Sequence, residues 1–134
     1  MKKKNYISLA NKAANIQINE LKKIKKVFNH SFVKAVDLIL NCKGKVIFAG
    51  VGKSGLIAKK ISATFSSVGI PSFFCDPAQA LHGDMGQIEK KDILIIFSYS
   101  GNTSELNNML KYANRFRIKV IGVASKPDSV LLKA

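Results

Sequence analysis

Two short stretches carry side chains with chemistry to offer. GVGKSG, Gly50 to Gly55, follows the apolar run KVIFA, and SYSGNTSE, Ser98 to Glu105, follows the apolar run ILIIF. The second stretch supplies hydroxyls at Ser98, Ser100, Thr103 and Ser104, with Gly101 available for a tight turn. Hydroxyls and backbone N–H groups at the start of a helix, where the helix dipole is positive, suit a phosphate dianion. A local alternative is that Thr103 or Asn102 caps the following helix and Glu105 supports its first turn. Four hydroxyls exceed what a cap requires, so the stretch reads as a binding loop.

GVGKSG alone admits three readings. A P-loop needs a glycine five positions before the glycine of its GK[ST] triplet, and that position is Ile47. A dinucleotide fingerprint fits better: Gly50, Gly52 and Gly55 match GxGxxG, and Asp76 follows near the next strand. Asp76 precedes Pro77, however, as turn residues often do, and the second phosphate-type loop has no place in that scheme. The third reading is a turn at one wall of a crevice for a small phosphorylated molecule.

The elements that must position these loops follow from periodicity. From about Tyr6 to Phe28, Ile7, Ala10, Ala14, Leu21, Ile24 and Phe28 recur at helical spacing, and His30 to Cys42 repeats the pattern after Asn29 or Ser31 as a cap. These two helices predict an N-terminal helical arm over 1–44. From Lys45 onward short apolar runs alternate with amphipathic stretches, the signature of βα units around a parallel sheet over 45–134. The strands are VIFAG, IPSFFC, ILIIFS and KVIGVA; helices run from about Lys53 to Ser67 and from about Thr103 to Phe116, and DPAQALHGDMGQ is a turn-rich connection. SKPDSVLLKA reads as a loop entering a further helix. In open α/β sheets ligands bind at the carboxyl ends of the strands, where strand order reverses. In a flavodoxin-like order that point lies between the first and third strands, the two that end in GVGKSG and SYSGNTSE.

Together, GVGKSG, PSFFCDPAQALHGDMG and SYSGNTSE resemble the sugar isomerase (SIS) domain of the arabinose-5-phosphate isomerase (KpsF/GutQ) family, from about residue 6 to the last residue. The resemblance implies a flavodoxin-like, five-stranded parallel sheet, of which four strands are expected here. It implies a sugar-phosphate ligand, interconversion of arabinose 5-phosphate and ribulose 5-phosphate, and a place in lipopolysaccharide or capsule synthesis. By the same resemblance Ser98, Ser100 and Thr103 belong to the phosphate loop, and Gly52, Lys53 and Ser54 to the turn at the substrate. His82, of HGD, and Glu105 match catalytic positions, with Lys53 beside them. An aldose–ketose exchange through an enediol needs a base and an acid, which His82 or Glu105 would supply, while Lys53 would hold phosphate or enediolate charge. Read without the resemblance, His82 is a polar turn residue, Lys53 a solvated first-turn lysine and Glu105 a carboxylate at a helix N-terminus.

The sequence departs from the family in two respects. Gln79 stands in PAQA where the family has Glu, and an amide cannot transfer a proton at neutral pH. The family also continues with another strand, further helices carrying an acidic residue and a His, and paired CBS domains. The expectation is therefore a truncated SIS domain of doubtful activity, with a non-catalytic phosphosugar-binding module as the alternative and an NAD-binding domain as the weaker one.

Charge and composition narrow the remaining classes. The net charge is +14, and residues 1–45 hold 11 Lys against Glu20 and Asp37. In ELKKIKKVF the lysines surround Leu21, Ile24, Val27 and Phe28, which predicts a helix with one buried and one solvated face. With two Arg and no aromatic–basic interleaving, this is a solvated face and no nucleic-acid partner is expected. There is no apolar run of membrane-span length and no secretory signal, so a cytoplasmic protein without a membrane partner is expected. Cys42 and Cys75 form no paired motif; no metal and no cofactor are expected. The apolar faces of the arm need a partner, which predicts a homo-oligomer, a dimer or tetramer.

Overall fold

In the computed structural model, residues 5–134 are described. They fall into two compact units, one reaching to Asp37 and the other spanning Leu38–Ala134.

In the first unit, α1 (Tyr6–Lys23) begins at Asn5, whose Oδ1 accepts the Ser8 N–H at 3.0 Å. The periodicity predicted one helix to Phe28, but the α-helix ends at Lys23 and tightens into a 3₁₀ turn over Ile24–Val27. Phe28 then leaves helical geometry, with ψ 71°. This frees Asn29 to cap α2 (His30–Leu40), its Oδ1 accepting the Ser31 and Phe32 N–H groups at 2.9 and 3.3 Å. The amphipathic pattern of α1 is not matched by burial within this chain: no α1 residue is buried, and Ile7, Leu9, Ile16 and Leu21 are exposed.

The second unit is an open α/β sheet. β1 (Val46–Gly50) leads to α3 (Gly52–Ser67), β2 (Ser72–Cys75), the short α4 (Pro77–Ala80), a 3₁₀ turn at Asp84–Gln87, β3 (Ile93–Phe97), α5 (Leu106–Phe116), β4 (Lys119–Val123) and α6 (Val130–Lys133). All pairings are parallel in the order β2-β1-β3-β4, with Val46 opposite Ser72 on one side and Ile93 on the other. The flavodoxin-like class follows directly, and so does the reversal of strand order between β1 and β3.

Because strand side chains alternate, β1 and β3 feed two cores. Ile47, Ala49, Leu94 and Ile96 pack with Leu106, Met109, Leu110 and Ala113 of α5. Val46, Phe48, Ile93 and Ile95 pack on the other face with Ala58, Ile61 and Phe65 of α3. Burial on both faces accounts for the near-continuous apolar runs of these strands.

At the amino ends of the strands, Asp92 ties β1 to β3. Its side chain is 0% exposed; Oδ1 accepts the Lys45 N–H at 2.7 Å, Oδ2 accepts the Glu89 N–H at 2.8 Å, and the Lys45 ammonium lies 3.2 Å away. Burial opposes ionisation of Asp92, but the two N–H donors and Lys45 more than offset it and hold its pKa below the usual carboxylate value.

Candidate functional site

At the carboxyl ends of the strands, α3 starts directly against the end of β1. Gly55 is buried, and a side-chain carbon there would come within 2.6 Å of the Gly50 carbonyl oxygen. Glycine at that position lets the first turn of α3 settle on the strand end. Ser54, Ile57, Phe97, Ser98, Tyr99, Val123, Ala124 and Ser125 enclose a pocket of about 190 Å³. The walls after β1 and β3 thus meet at the reversal of strand order, and the end of β4 closes a third side.

The loop after β3 is ordered by its own hydroxyls. Ser98, only 4% exposed, has its Oγ 2.8 Å from Thr103 Oγ1 and accepts the Gly101 N–H at 3.0 Å. Ser100 Oγ accepts the Asn102 N–H at 3.2 Å, and Gly101 takes the left-handed conformation at φ +67°. The capping alternative for this stretch does not describe it: α5 has no side-chain hydrogen bond at its N-cap, Thr103 turns to Ser98, and Asn102 Oδ1 accepts the Val130 N–H at 2.9 Å. The helix predicted from Thr103 consequently starts at Leu106, because residues 98–105 are held by bonds of the loop itself.

The sequence-predicted residues are not all gathered at one point. Ser54 and Ser98 share the pocket, and Ser100 and Thr103 stand in the loop beside Ser98. Gly52 and Lys53 open α3 as exposed residues, outside the pocket lining. Glu105 is exposed; its own backbone N–H, followed by the Ser104 hydroxyl at 2.8 Å, keeps its carboxyl below the usual range, so it stands as an anion at the start of α5. His82 is an exposed turn residue after α4, with its N–H donated to the Gln79 carbonyl, and it does not line this pocket. Asp76, the acidic residue of the dinucleotide alternative, caps α4 by accepting the Ala78 N–H at 2.9 Å.

Sequence reasoning passed over Tyr99 and Ser125. Tyr99 lines the pocket while 81% exposed, and Ser125 Oγ donates to the Tyr99 carbonyl at 2.6 Å. The usable signal was position: Tyr99 and Ser125 are each the second residue after a strand, β3 and β4, at the carboxyl end of a parallel sheet. Cys75, at the end of β2, is buried, and burial, reinforced by Asp84 and Asp76, pushes its thiol up to about 11. At about pH 8 roughly one part in a thousand is thiolate. Iodoacetamide should therefore leave Cys75 unmodified in the folded chain and label it after unfolding, as peptide mass spectrometry will show.

A hydroxyl-rich loop before a helix, set at the reversal of strand order beside the start of α3, makes this an α/β domain with a crevice at the carboxyl ends of its strands. The SIS domain family model matches residues 39–134, and the chain belongs to this family. It is 41% identical over 116 residues to arabinose 5-phosphate isomerase GutQ of Escherichia coli K12, covering 87% of this chain and 36% of that protein. A crystal structure from Listeria monocytogenes is 35% identical with a TM-score of 0.92, covering 99% of this chain and 70% of that one. A structure from E. coli CFT073 in complex with arabinose 5-phosphate is 36% identical with a TM-score of 0.82, covering 96% of this chain and 70% of that one. The chain spans little more than a third of the length of the curated relative.

Proposed function

We propose that this chain is the sugar-phosphate-binding portion of an arabinose 5-phosphate isomerase, acting on arabinose 5-phosphate and ribulose 5-phosphate. The observation that carries the reading is the meeting of Ser54 with Ser98 in one pocket at the β1/β3 reversal, beside a loop preorganised by Ser100, Gly101 and Thr103. The arabinose 5-phosphate complex of a relative 36% identical supports the same ligand class. In this scheme the phosphate sits against the loop of Ser98, Ser100 and Thr103 and the turn of Gly52 and Ser54. Lys53 offsets the charge that grows on the enediolate. A base removes the proton from C2 of the aldose, the hydroxyl proton moves from O2 to O1, and C1 is reprotonated to give the ketose and regenerate the base.

His82 is the better candidate for proton transfer than Glu105, whose lowered pKa makes it a weak base and keeps it anionic. A second reading, binding of a phosphosugar without turnover, is favoured by one observation: neither residue lines the pocket. On either reading the protein is cytoplasmic, and the exposed apolar side chains of α1 pack in a dimer or tetramer; no described helix is long and apolar enough to cross a membrane. Participation in lipopolysaccharide or capsule synthesis belongs to the first reading.

The test is titration of the chain with arabinose 5-phosphate, followed by an assay for ribulose 5-phosphate. Binding that Ser100→Ala weakens about tenfold, with turnover lost in His82→Ala, is expected for the isomerase. Binding without turnover selects the second reading, and no binding rejects both.

A further inference from the structure

Ser129 precedes α6 with φ −72° and ψ 156°, the geometry in which a serine hydroxyl ordinarily accepts a first-turn N–H. It makes no such bond. The first N–H groups of α6 are taken by the phosphate loop instead: Val130 donates to Asn102 Oδ1 at 2.9 Å, and Leu131 donates to the Gly101 carbonyl at 3.0 Å. Ser129 is 1% exposed, and among the described residues its Oγ is the single buried side-chain polar atom without a hydrogen-bond partner. It occupies the place that a side chain on Gly101 would take.

A buried, unpartnered hydroxyl destabilises the fold, so its presence beside a ligand loop points to a benefit other than stability. Glycine has the widest conformational freedom of any residue, and a loop built on one needs an outside wall to stay in a single geometry. Ser129 supplies that wall. Gly101 in turn donates to Ser98 Oγ, which contacts Thr103 Oγ1, so a shift at Gly101 would pass to both hydroxyls.

We propose that Ser129, assisted by Asn102, is a positioning residue of the phosphate loop, holding Gly101 in its left-handed conformation from behind. The inference rests on the phosphate-site reading above. Its test uses the 134-residue chain and its Ser129→Ala, Asn102→Ala and Asn102→Asp variants. The probes are arabinose 5-phosphate and inorganic phosphate by calorimetry, thermal unfolding, and amide exchange at Gly101.

Ser129→Ala is expected to keep or raise the melting temperature while weakening both probes about fivefold or more and speeding exchange of the Gly101 amide. A merely structural residue would move stability and affinity in the same direction. Asn102→Ala is expected to weaken binding and speed Gly101 exchange as well, and Asn102→Asp, which keeps an acceptor for Val130 but adds a negative charge beside the bound phosphate, to restore slow Gly101 exchange without restoring affinity. Wild-type affinity together with wild-type Gly101 exchange in Ser129→Ala overturns the proposal. A wild-type chain that binds neither probe removes the phosphate reading; Gly101 exchange then decides the positioning role, faster in Ser129→Ala if the wall exists and unchanged if it does not.

Discussion

Asp92→Ala is expected to destabilise the fold by about 3 kcal/mol, because removing one partner of a buried charged pair leaves donors without an acceptor. The Lys45 and Glu89 N–H groups would lose their bonds to Asp92, and the Lys45 ammonium, whose side chain is a third exposed, would retain only Glu89 and water. Urea unfolding should show a lower midpoint with an unchanged slope. The wild-type chain should also lose part of its stability in acid. The folded pKa of Asp92 is depressed, so its contribution is complete above the unfolded value of about 3.9 and disappears as pH falls through the folded value. Asp92→Asn should flatten that acid dependence; an unchanged acid limb in the variant would show that another carboxylate is responsible.

The second large effect is expected at Gly101, this time on the ligand. Gly101→Ala places a side chain on a backbone at φ +67° and directs it onto the Ser129 hydroxyl. Left-handed geometry costs a non-glycine residue about 1–2 kcal/mol and overpacking about 1–3 kcal/mol. The loop must relax to escape both, and the arrangement of Ser98, Ser100 and Thr103 relaxes with it. If the full cost, about 2–5 kcal/mol, falls on the bound geometry, affinity for arabinose 5-phosphate drops by about 30-fold to 4,000-fold. Calorimetry on the purified variant measures this directly, and a loss smaller than about threefold would mean that the loop does not bind phosphate in the conformation seen here. Adding Ser129→Gly should recover part of the loss, since it clears the space but leaves the unfavourable φ.

Local chemistry was legible where it depends on spacing. The apolar runs VIFAG and ILIIF mark β1 and β3 because both their faces are buried, and the hydroxyls of SYSGNTSE mark a loop whose bonds span only a few residues. The switch point followed from the alternation of strands and helices, and the pocket between Ser54 and Ser98 lies there. What periodicity could not supply was contact between distant segments. Asn102 reads as a helix cap for its neighbours and instead caps α6, 28 positions away in sequence. Ser129 reads as loop and is packed under Gly101. The end of α1 was misplaced because nothing in ELKKIKKVF breaks a helix; what ends it is the turn into α2, closed by Asn29.

The parallel sheet also has a consequence in time. Val46 must find Ser72 on one side and Ile93 on the other, and neither partner can be reached by a hairpin. A growing chain that has exposed β1 therefore holds an apolar strand with nowhere to pair until α3 and β2 have followed it, and with one edge still open until the connection through α4 delivers β3. Loop closure comes before any strand pairing rewards it, so folding of this domain should be slow relative to helical domains of similar length and concerted around β1 and β3. The interval before β3 emerges is when the nascent chain is most open to association with other chains.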